Sequence, residues 1–546
     1  MPTKTTTDWE RLTDWLHEAH SGFKSCLSLR DVPGVVRGLV VAEDVREKTA
    51  LLHIPSSAML NPLTLMAADS VSKHNLKQPV FSIPRHLFPL PAHHVSHNNS
   101  SKRVKTLPIS PPAPTGLGRQ LDTTELLTLH LALNRDPMKR YTSDWQVYIE
   151  TLPKEFRPWH PLTWVIEPEK GSDVPGAEEW RWWHHLYEKY ASRTLKAKVR
   201  EVKQRYETDI ATLRDVLHKE EPFKSHSLAT TLTQEDLLWA WLNVNTRSIS
   251  IPLGLPGPTE RMNHTLVPIL DMVNHSSDTS IASPRVRQLS TPSSASASGN
   301  RRGHKPSASG DWSGNGNKYS RNGVHLIPGR IDLRLIAPER GMNKGEEVVF
   351  EYGGHSSATL FAEYGFCEVP EGHGDEKWLK LKYGELDVGW LVDELWKETA
   401  MSPEDEEDQA EKKQVLEAIG CWRQNIIHTN PLPPHPSHSL LMTLRVFHLP
   451  RNSVKLPNIK GGYSTYVAPS NELAMIYTLE NICKKIMKDS EKRLQGLKKE
   501  EKHFRQNDVT DEEKSGVVRM MKGMCIEEQI LAKKVLERIE KGEDLS

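Results

Sequence analysis

Two stretches of this 546-residue sequence concentrate side chains that could do chemistry. In residues 265–275, TLVPILDMVNH, an apolar run feeds directly into Asp271, Asn274 and His275. The run reads as a buried strand or short helix that delivers these polar groups to one place. Burying an unpartnered polar group costs roughly 2–7 kcal/mol, so they are paired with each other, as in a satisfied core, or with a ligand. The second stretch, residues 345–366, reads GEEVVFEYGGHSSATLFAEYGF and carries Tyr352, Tyr364 and Phe366. By itself it could be an ordinary aromatic core. No Ser/His/Asp set and no carboxylate pair accompanies either stretch. A metal hydrolase built on Asp271 and His275 would lack further ligands.

Around these stretches the periodicity sets out the supporting elements. Trp9, Leu12, Trp15 and Leu16 recur at helical spacing over residues 8–19. RGLVVA (37–42) and TALLHI (49–54) read as strands, with Gly38 where the backbone must turn or approach something closely. Residues 84–119 are rich in Pro, His, Ser and Asn; His93, His94 and His97 there read as a solvated loop rather than a metal site. Helices dominate to about residue 245. Asp122 and Glu125 open one with a capping box, and the tryptophans of EEWRWWHHLYEKY (178–190) read as packing. Thr233 and Asp236 cap a helix that turns Leu237, Leu238, Trp241 and Leu242 to a core and ends at Arg247. Residues 277–324, mostly Ser, Gly, Asn and Arg, are expected to be a disordered insertion. Ile331, Leu333 and Leu335 alternate with Asp332 and Arg334 as in a half-buried strand; GMNKGEE is a turn and VVFEY a second strand. Beyond about residue 375 helices with charged faces follow. PEDEEDQAEKK (403–413) reads as a loop. Asn471 reads as the cap of a helix with Leu473, Ile476, Leu479, Cys483 and Ile486 on one stripe, and residues 497–514 as a solvated face.

Composition excludes several classes. With 71 basic and 71 acidic residues the formal net charge is zero, against a whole-protein electrostatic footprint for nucleic acid or membrane. The five cysteines form no CxxC, so neither a disulfide framework nor a zinc cluster is expected, and no metal is assigned. The N-terminus has no apolar signal segment and no run of about 18 apolar residues occurs. The expectation is a soluble protein of the cytoplasm or nucleus.

The order of the motifs resembles SET-domain protein methyltransferases, closest to the RuBisCO large-subunit lysine methyltransferase-like branch. The motifs are Val36-Arg37-Gly38-Leu39, HIPSSAMLNP (53–62), YTSDWQVYIETLP (141–153), TRSISIP (246–252), DMVNH, GEEVVFEYGG, AEYGF and, later, LLMTLRVFHL (440–449). The resemblance implies an α+β architecture: a SET fold of short β-sheets split by a helical insertion, followed by an all-α C-terminal domain. The division expected is an N-terminal helix (1–25), SET parts at 26–118 and 251–372, a helical insertion at 119–250, and a helical substrate-binding domain at 373–546. It implies S-adenosyl-L-methionine as cofactor, held by Arg37, Gly38, Leu39, Arg247, Asn274, His275 and Tyr352. In that reading Asn274 takes the amino-acid end, the His275 backbone the adenine, and Arg247 the carboxylate, which a guanidinium fits with two hydrogen bonds. Tyr352 is the catalytic tyrosine, orienting amine and methyl, while Tyr364 and Phe366 line a substrate channel. The activity implied is lysine N-methylation of a non-histone protein, with ribosomal or translation-related proteins as the substrate class. Neither nucleic acid nor membrane is an expected partner, and a monomer is expected. Histone-directed SET enzymes often carry zinc-binding cysteine clusters beside the domain, and this chain has none. Two alternatives stay open: a histidine-directed methyltransferase, and a non-catalytic scaffold. The second draws on Val36 in place of a family glycine and on His53 in place of an acidic cofactor contact.

Overall fold

The computed structural model describes residues 7–32, 35–72, 83–89, 120–136, 143–168, 177–255, 257–277, 283–288, 331–370, 372, 378–379, 384–462, 465–506 and 512–545. The histidine-rich loop around His93 and residues 289–330 lie outside them. The chain divides into two compact units, residues 1–152, 212–274 and 282–348 in one, and 153–211, 275–281 and 349–546 in the other.

The first unit begins with the helix Asp8–Ala19, closed by a reciprocal capping box between Thr7 and Glu10, with Leu12 and Leu16 fully buried. Four strands, β1 (Lys24–Ser25), β2 (Leu27–Val32), β3 (Val35–Val41) and β4 (Ala50–Ile54), follow. Later come β5 (Ser248–Ser250), β6 (His264–Leu266), β7 (Asn274–His275), β8 (Ser283–Gln288), β9 (Ile331–Ile336) and β10 (Glu347–Phe350). They assemble as sheets ordered β1-β4-β9-β8 and β2-β3-β10-β7, with β5 and β6 as a pair. The helices Thr123–Asn134 and Gln234–Arg247 each open on a capping box, Asp122/Glu125 and Thr233/Asp236. Every residue of Thr123–Asn134 is buried. Two of its polar members are paired: Asn134 Nδ2 donates to the His130 carbonyl at 2.7 Å, and His130 Nε2 lies 2.9 Å from Ser143 Oγ.

The second unit is mainly helical. Trp183 of the helix Ala177–Tyr190 is buried and stacks on Trp164 with ring centroids 5.1 Å apart, so the tryptophans of this helix serve packing. Val392, Leu416, Leu440, Leu444, Leu479, Cys483, Leu531 and Val535 share one core with the helix His438–Phe447, capped by Ser437. The long helices Pro469–Gln506 and Glu512–Glu540 run antiparallel. Gln529 Nε2 donates to Glu491 at 3.0 Å, Lys522 Nζ to Glu501 at 2.7 Å, and Arg493 to Glu528. This helical region also holds a small sheet, β11 (Glu385–Asp387), β12 (Ile426–His428) and β13 (His435–Pro436), in that order. Among the described residues no helix is long and apolar enough to cross a membrane.

Several expectations are corrected. Residues 403–413 are not a loop but the start of the helix Pro403–Ala418. Ser402 caps it, Pro403 opens it, and Glu404, Asp405 and Glu406 sit in its first turn, where the helix dipole favours acids. Part of the expected disordered insertion is strand β8, paired residue by residue with β9 from Ser283↔Ile336 to Gln288↔Ile331. Such a strand needs only backbone partners, so its composition does not betray it. Asn471 is not a cap: the helix already starts at Pro469, and Asn471 is buried, donating to the Arg445 carbonyl at 3.0 Å. Leu473 leaves its stripe and is 69% exposed. In Gln234–Arg247 the buried tryptophans include Trp239, whereas Leu238 is only half-buried. Asp332 points into the structure rather than out, accepting from His53 Nε2 at 2.9 Å and from Ser56 N–H at 3.3 Å.

Candidate functional site

The apolar run of residues 266–270 does not continue as one element. It enters as β6, reverses at Ile269 and forms a single 3₁₀ turn, Leu270–Met272, before β7. Ile269 is fully buried with φ +69° and ψ −47°, a conformation that a β-branched residue adopts only under strain. Strain of this kind persists where the surroundings over-determine it, and it concentrates at functional sites. Here it swings Asp271 inward. The Asp271 side chain is fully buried; its Oδ2 accepts from Arg247 Nη1 at 3.1 Å and from the Tyr148 hydroxyl at 3.2 Å. Burial pushes the Asp271 carboxyl above its ordinary value, while Arg247 pulls it back down. Burial and the neighbouring carboxylate push the Tyr148 phenol well up. Asp271 is thus engaged by an arginine and a phenol, and not arranged as a metal ligand.

Arg247 stands at the end of the Gln234–Arg247 helix, where its capped start fixes the phase of its last turn. Nη1 also donates to the Asp271 carbonyl at 2.9 Å, yet Nε is buried with no hydrogen-bond partner. Asp271 Oδ1 is likewise unpartnered. An unsatisfied donor on a guanidinium is costly and suits an anionic ligand.

Asn274 is held by two acceptors. Its Nδ2 donates to the Arg37 carbonyl at 3.0 Å and to Glu347 Oε1 at 2.7 Å. The structure therefore brings together Asn274, the Arg37-Gly38-Leu39 strand and the Gly-Glu-Glu motif. Gly38 and Leu39 are buried in β3, opposite Arg30 and Leu29, and Leu39 also faces Val348 of β10. The chain does not turn at Gly38, which corrects that part of the expectation. Gly38 adjoins a register shift between Arg30 and Val32, where a strand glycine is common. Arg37 itself is exposed.

At the Asn274–His275 peptide bond the chain passes from the first unit to the second. In the second unit the His275 side chain is 1% exposed. Its Nδ1 accepts from the Tyr352 N–H at 3.1 Å, which leaves Nε2 to carry the proton, 3.4 Å from Ser277 Oγ. Around it the aromatic rings close up: His275–Tyr352 and Tyr352–Tyr364 at 5.2 Å, His275–Phe366 and Tyr352–Phe366 at 5.9 Å, Tyr364–Phe366 at 6.1 Å. Burial pushes the Tyr364 phenol up to about 12, Glu363 adding to it.

Tyr364 ends the helix Ser357–Tyr364, capped by Ser356. His160 holds this helix from below, its Nε2 donating to the Glu363 carbonyl at 3.0 Å while Nδ1 accepts from the Leu162 N–H at 3.2 Å. Gly365 follows with φ +79°, and a Cβ there would lie 2.5 Å from Trp159 Cε3. Only glycine fits, and its turn returns Phe366 to the cluster that Tyr364 has just joined.

The sequence reading missed Glu347 and Tyr148, the partners of Asn274 and Asp271, and the strained Ile269. Glu347 lies within the Gly-Glu-Glu motif and could have been found there; Ile269 leaves no trace in residue type. His53, a point of departure from the family, is spent on Asp332.

Comparison with known proteins bears on the fold. The chain carries a fold similar to the SET fold of LSMT, with a helical C-terminal region. Residues 403–536 match the family model for Rubisco LSMT substrate-binding. The SET domain of LSMT bound to lysine and AdoHcy is similar with TM-score 0.53 and 17% identity, over 98% of this chain and 93% of that one. Rubisco LSMT bound to AdoMet gives 0.51 and 16%, over 98% and 92%. Among curated proteins the chain is 23% identical over 372 residues, 67% of its length, to human (Homo sapiens) SET domain-containing protein 4. It spans 60% of that relative's length.

Proposed function

We propose that this protein is an S-adenosyl-L-methionine-dependent protein-lysine N-methyltransferase. The observation that carries the reading is the aromatic cluster of His275, Tyr352, Tyr364 and Phe366, linked by one peptide bond to an asparagine fixed against Arg37. The similar solved structures bound to AdoMet, AdoHcy and lysine support the same ligands here.

The residues present fit such a cofactor. Arg247 has a buried donor without a partner, suited to a carboxylate, and Asn274 lies beside a strand backbone. Arg247, Asn274 and the Arg37-Gly38-Leu39 strand would hold it. When bound, it supplies an electrophilic methyl group on a sulfonium. The rest falls to the chain. A lysine amine has an ordinary pKa near 10.4 and must be neutral to react. Tyr364 and Phe366 favour the neutral form by excluding water. Tyr364 stays a phenol because burial holds its pKa up to about 12, so it puts no anion beside the amine to retain its proton. The Tyr352 hydroxyl orients the amine for in-line attack, with its N–H pinned to His275.

The substrate we infer is a non-histone protein held by the helical region, with ribosomal or translation-related proteins as the class to test. The experiment is transfer of labelled methyl from S-adenosylmethionine to proteins of a methylation-naive extract. A labelled band is expected that disappears with Tyr352→Phe and Asn274→Ala, and mass spectrometry of that band should find methyl-lysine. Methyl-histidine would move the reading to its histidine-directed alternative. Absence of both labelling and cofactor binding would leave a scaffold.

A further inference from the structure

Beside the ring cluster, the second unit carries a run of hydrogen bonds that begins at a residue with no role so far. Glu368 follows Phe366 by two residues. Its carbonyl accepts from the Ser357 hydroxyl at 2.9 Å, which ties it to the helix Ser357–Tyr364. Its carboxylate grips the buried Ser277: Oε1 accepts from the Ser277 N–H at 3.2 Å and Oε2 from the Ser277 hydroxyl. Ser277 Oγ in turn lies 3.4 Å from His275 Nε2, and His275 Nδ1 accepts from the Tyr352 N–H at 3.1 Å. The run therefore goes from Glu368 through Ser277 and His275 to the backbone of Tyr352.

The run has one direction. An ionised carboxylate only accepts, and a serine hydroxyl has a single proton to give. Ser277 gives it to Glu368, so toward His275 it can only accept. Nε2 must then carry the ring proton, which leaves Nδ1 its lone pair. The Tyr352 N–H demands the same tautomer from the other side of the ring. The Glu368 carboxylate, 3.9 Å from Nε2, adds an attraction for a proton there. In the opposite tautomer an N–H on Nδ1 would face the Tyr352 N–H. Two buried donors set against each other are costly, and the Tyr352 backbone would move off with its hydroxyl.

We propose that Glu368 and Ser277 are positioning residues for Tyr352, acting by locking the tautomer of His275. Their effect on rate rests on the methyltransferase reading above; the lock itself does not.

The discriminating variant is Glu368→Gln, which keeps the size of the side chain. With its oxygen on the Ser277 N–H, its amide N–H₂ meets the Ser277 hydroxyl. That hydroxyl must then accept from the amide and donate to Nε2, so the ring proton moves to Nδ1. Spectra of the full chain with ring-¹⁵N histidine read this directly, the His275 signals being assigned by their loss in His275→Gln. The wild type and Ser277→Thr should show Nε2 protonated and Nδ1 bare, and Glu368→Gln the reverse. In the extract assay at saturating S-adenosylmethionine, label transfer should fall roughly ten- to hundredfold in Glu368→Gln and Ser277→Ala, as for a catalytic group displaced by up to about 1 Å, while calorimetric affinity for S-adenosylhomocysteine stays within about twofold. Ser277→Thr should recover most of the rate. A merely structural role would leave the ring protons where they are in Glu368→Gln. A protonated Nδ1 in the wild type, an unchanged ring pattern in Glu368→Gln, or full transfer by that variant would overturn the proposal. If Ser277→Ala fails to fold, Glu368→Gln, altering a side chain 34% exposed, still decides. If the wild type transfers no methyl, the methyltransferase reading falls, and the ring spectra alone decide the lock.

Discussion

Arg247 has two tasks that substitution separates. It compensates the buried Asp271 carboxylate through Nη1, and it keeps Nε unpaired. Arg247→Lys retains the charge but loses the planar fork. Cofactor affinity measured by calorimetry is expected to fall roughly ten- to hundredfold, the worth of a charge-assisted hydrogen bond, with the fold intact. Arg247→Met also strips Asp271 of its counter-charge, and should lower stability by a further 1–3 kcal/mol or so, read from urea midpoints. Equal affinity in Arg247→Lys and wild type would remove Arg247 from the cofactor. The candidate residues were picked from the sequence by type: Asn274, His275, Tyr352, Tyr364 and Phe366 stand in motifs with fixed local spacing. Their partners were less visible. Glu347 and Tyr148 reach Asn274 and Asp271 from other segments; Glu347 stands in a visible motif, but nothing in that motif shows its partner.

Among the elements, the close pairing of Pro469–Gln506 with Ala177–Tyr190 depends on a missing side chain. A Cβ on Gly496 would lie 2.2 Å from Tyr190 Cε1. The Tyr190 ring cannot readily retreat, since its hydroxyl donates to Glu500 at 2.8 Å. Helix propensity favours Gly496→Ala by about 1 kcal/mol; overpacking opposes it by about 1–3 kcal/mol. The clash should win, and Gly496→Ala should melt earlier than the wild type in a calorimetric scan, while Gly496→Ala/Tyr190→Leu recovers. A higher midpoint for the single variant would show that the helices part at little cost. At this scale the sequence was clearest where the signal is local. The boxes at Asp122/Glu125 and Thr233/Asp236 were read directly, because cap and third residue act on each other. The helix Pro403–Ala418 is hard to see in the sequence because, past the Ser402-Pro403 start, its first turns are a run of charges. Strand β8 escaped because its reason for existing is β9.

Across the whole molecule, buried titratable groups set the pH range of stability. Burial lowers His130 to about 3 and His160 to about 4. Unfolding returns both toward 6.5, so the unfolded chain binds more protons below that pH and stability falls as pH drops from about 6.5 toward 4. At the alkaline end the sign reverses. Burial pushes Cys483 and Cys525 up to about 12; above about pH 8.5 the unfolded thiols ionise while the folded ones do not, so stability falls as pH rises. Urea midpoints from pH 4 to 10.5 should therefore show a plateau between roughly 6.5 and 8.5. Cys483→Ala/Cys525→Ala should flatten the alkaline limb, whatever it costs in packing. A limb unchanged in that variant would place its origin in other groups.

The left-handed turn at Gly365 also limits how this protein can diverge. Tyr364 and Phe366 meet in one cluster only because the residue between them has no Cβ, with Trp159 filling the space one would need. An insertion or deletion there would disperse the cluster, and a side chain at Gly365 would do the same by meeting Trp159. The spacing of the two rings is thus fixed by the one position between them, whichever rings flank it.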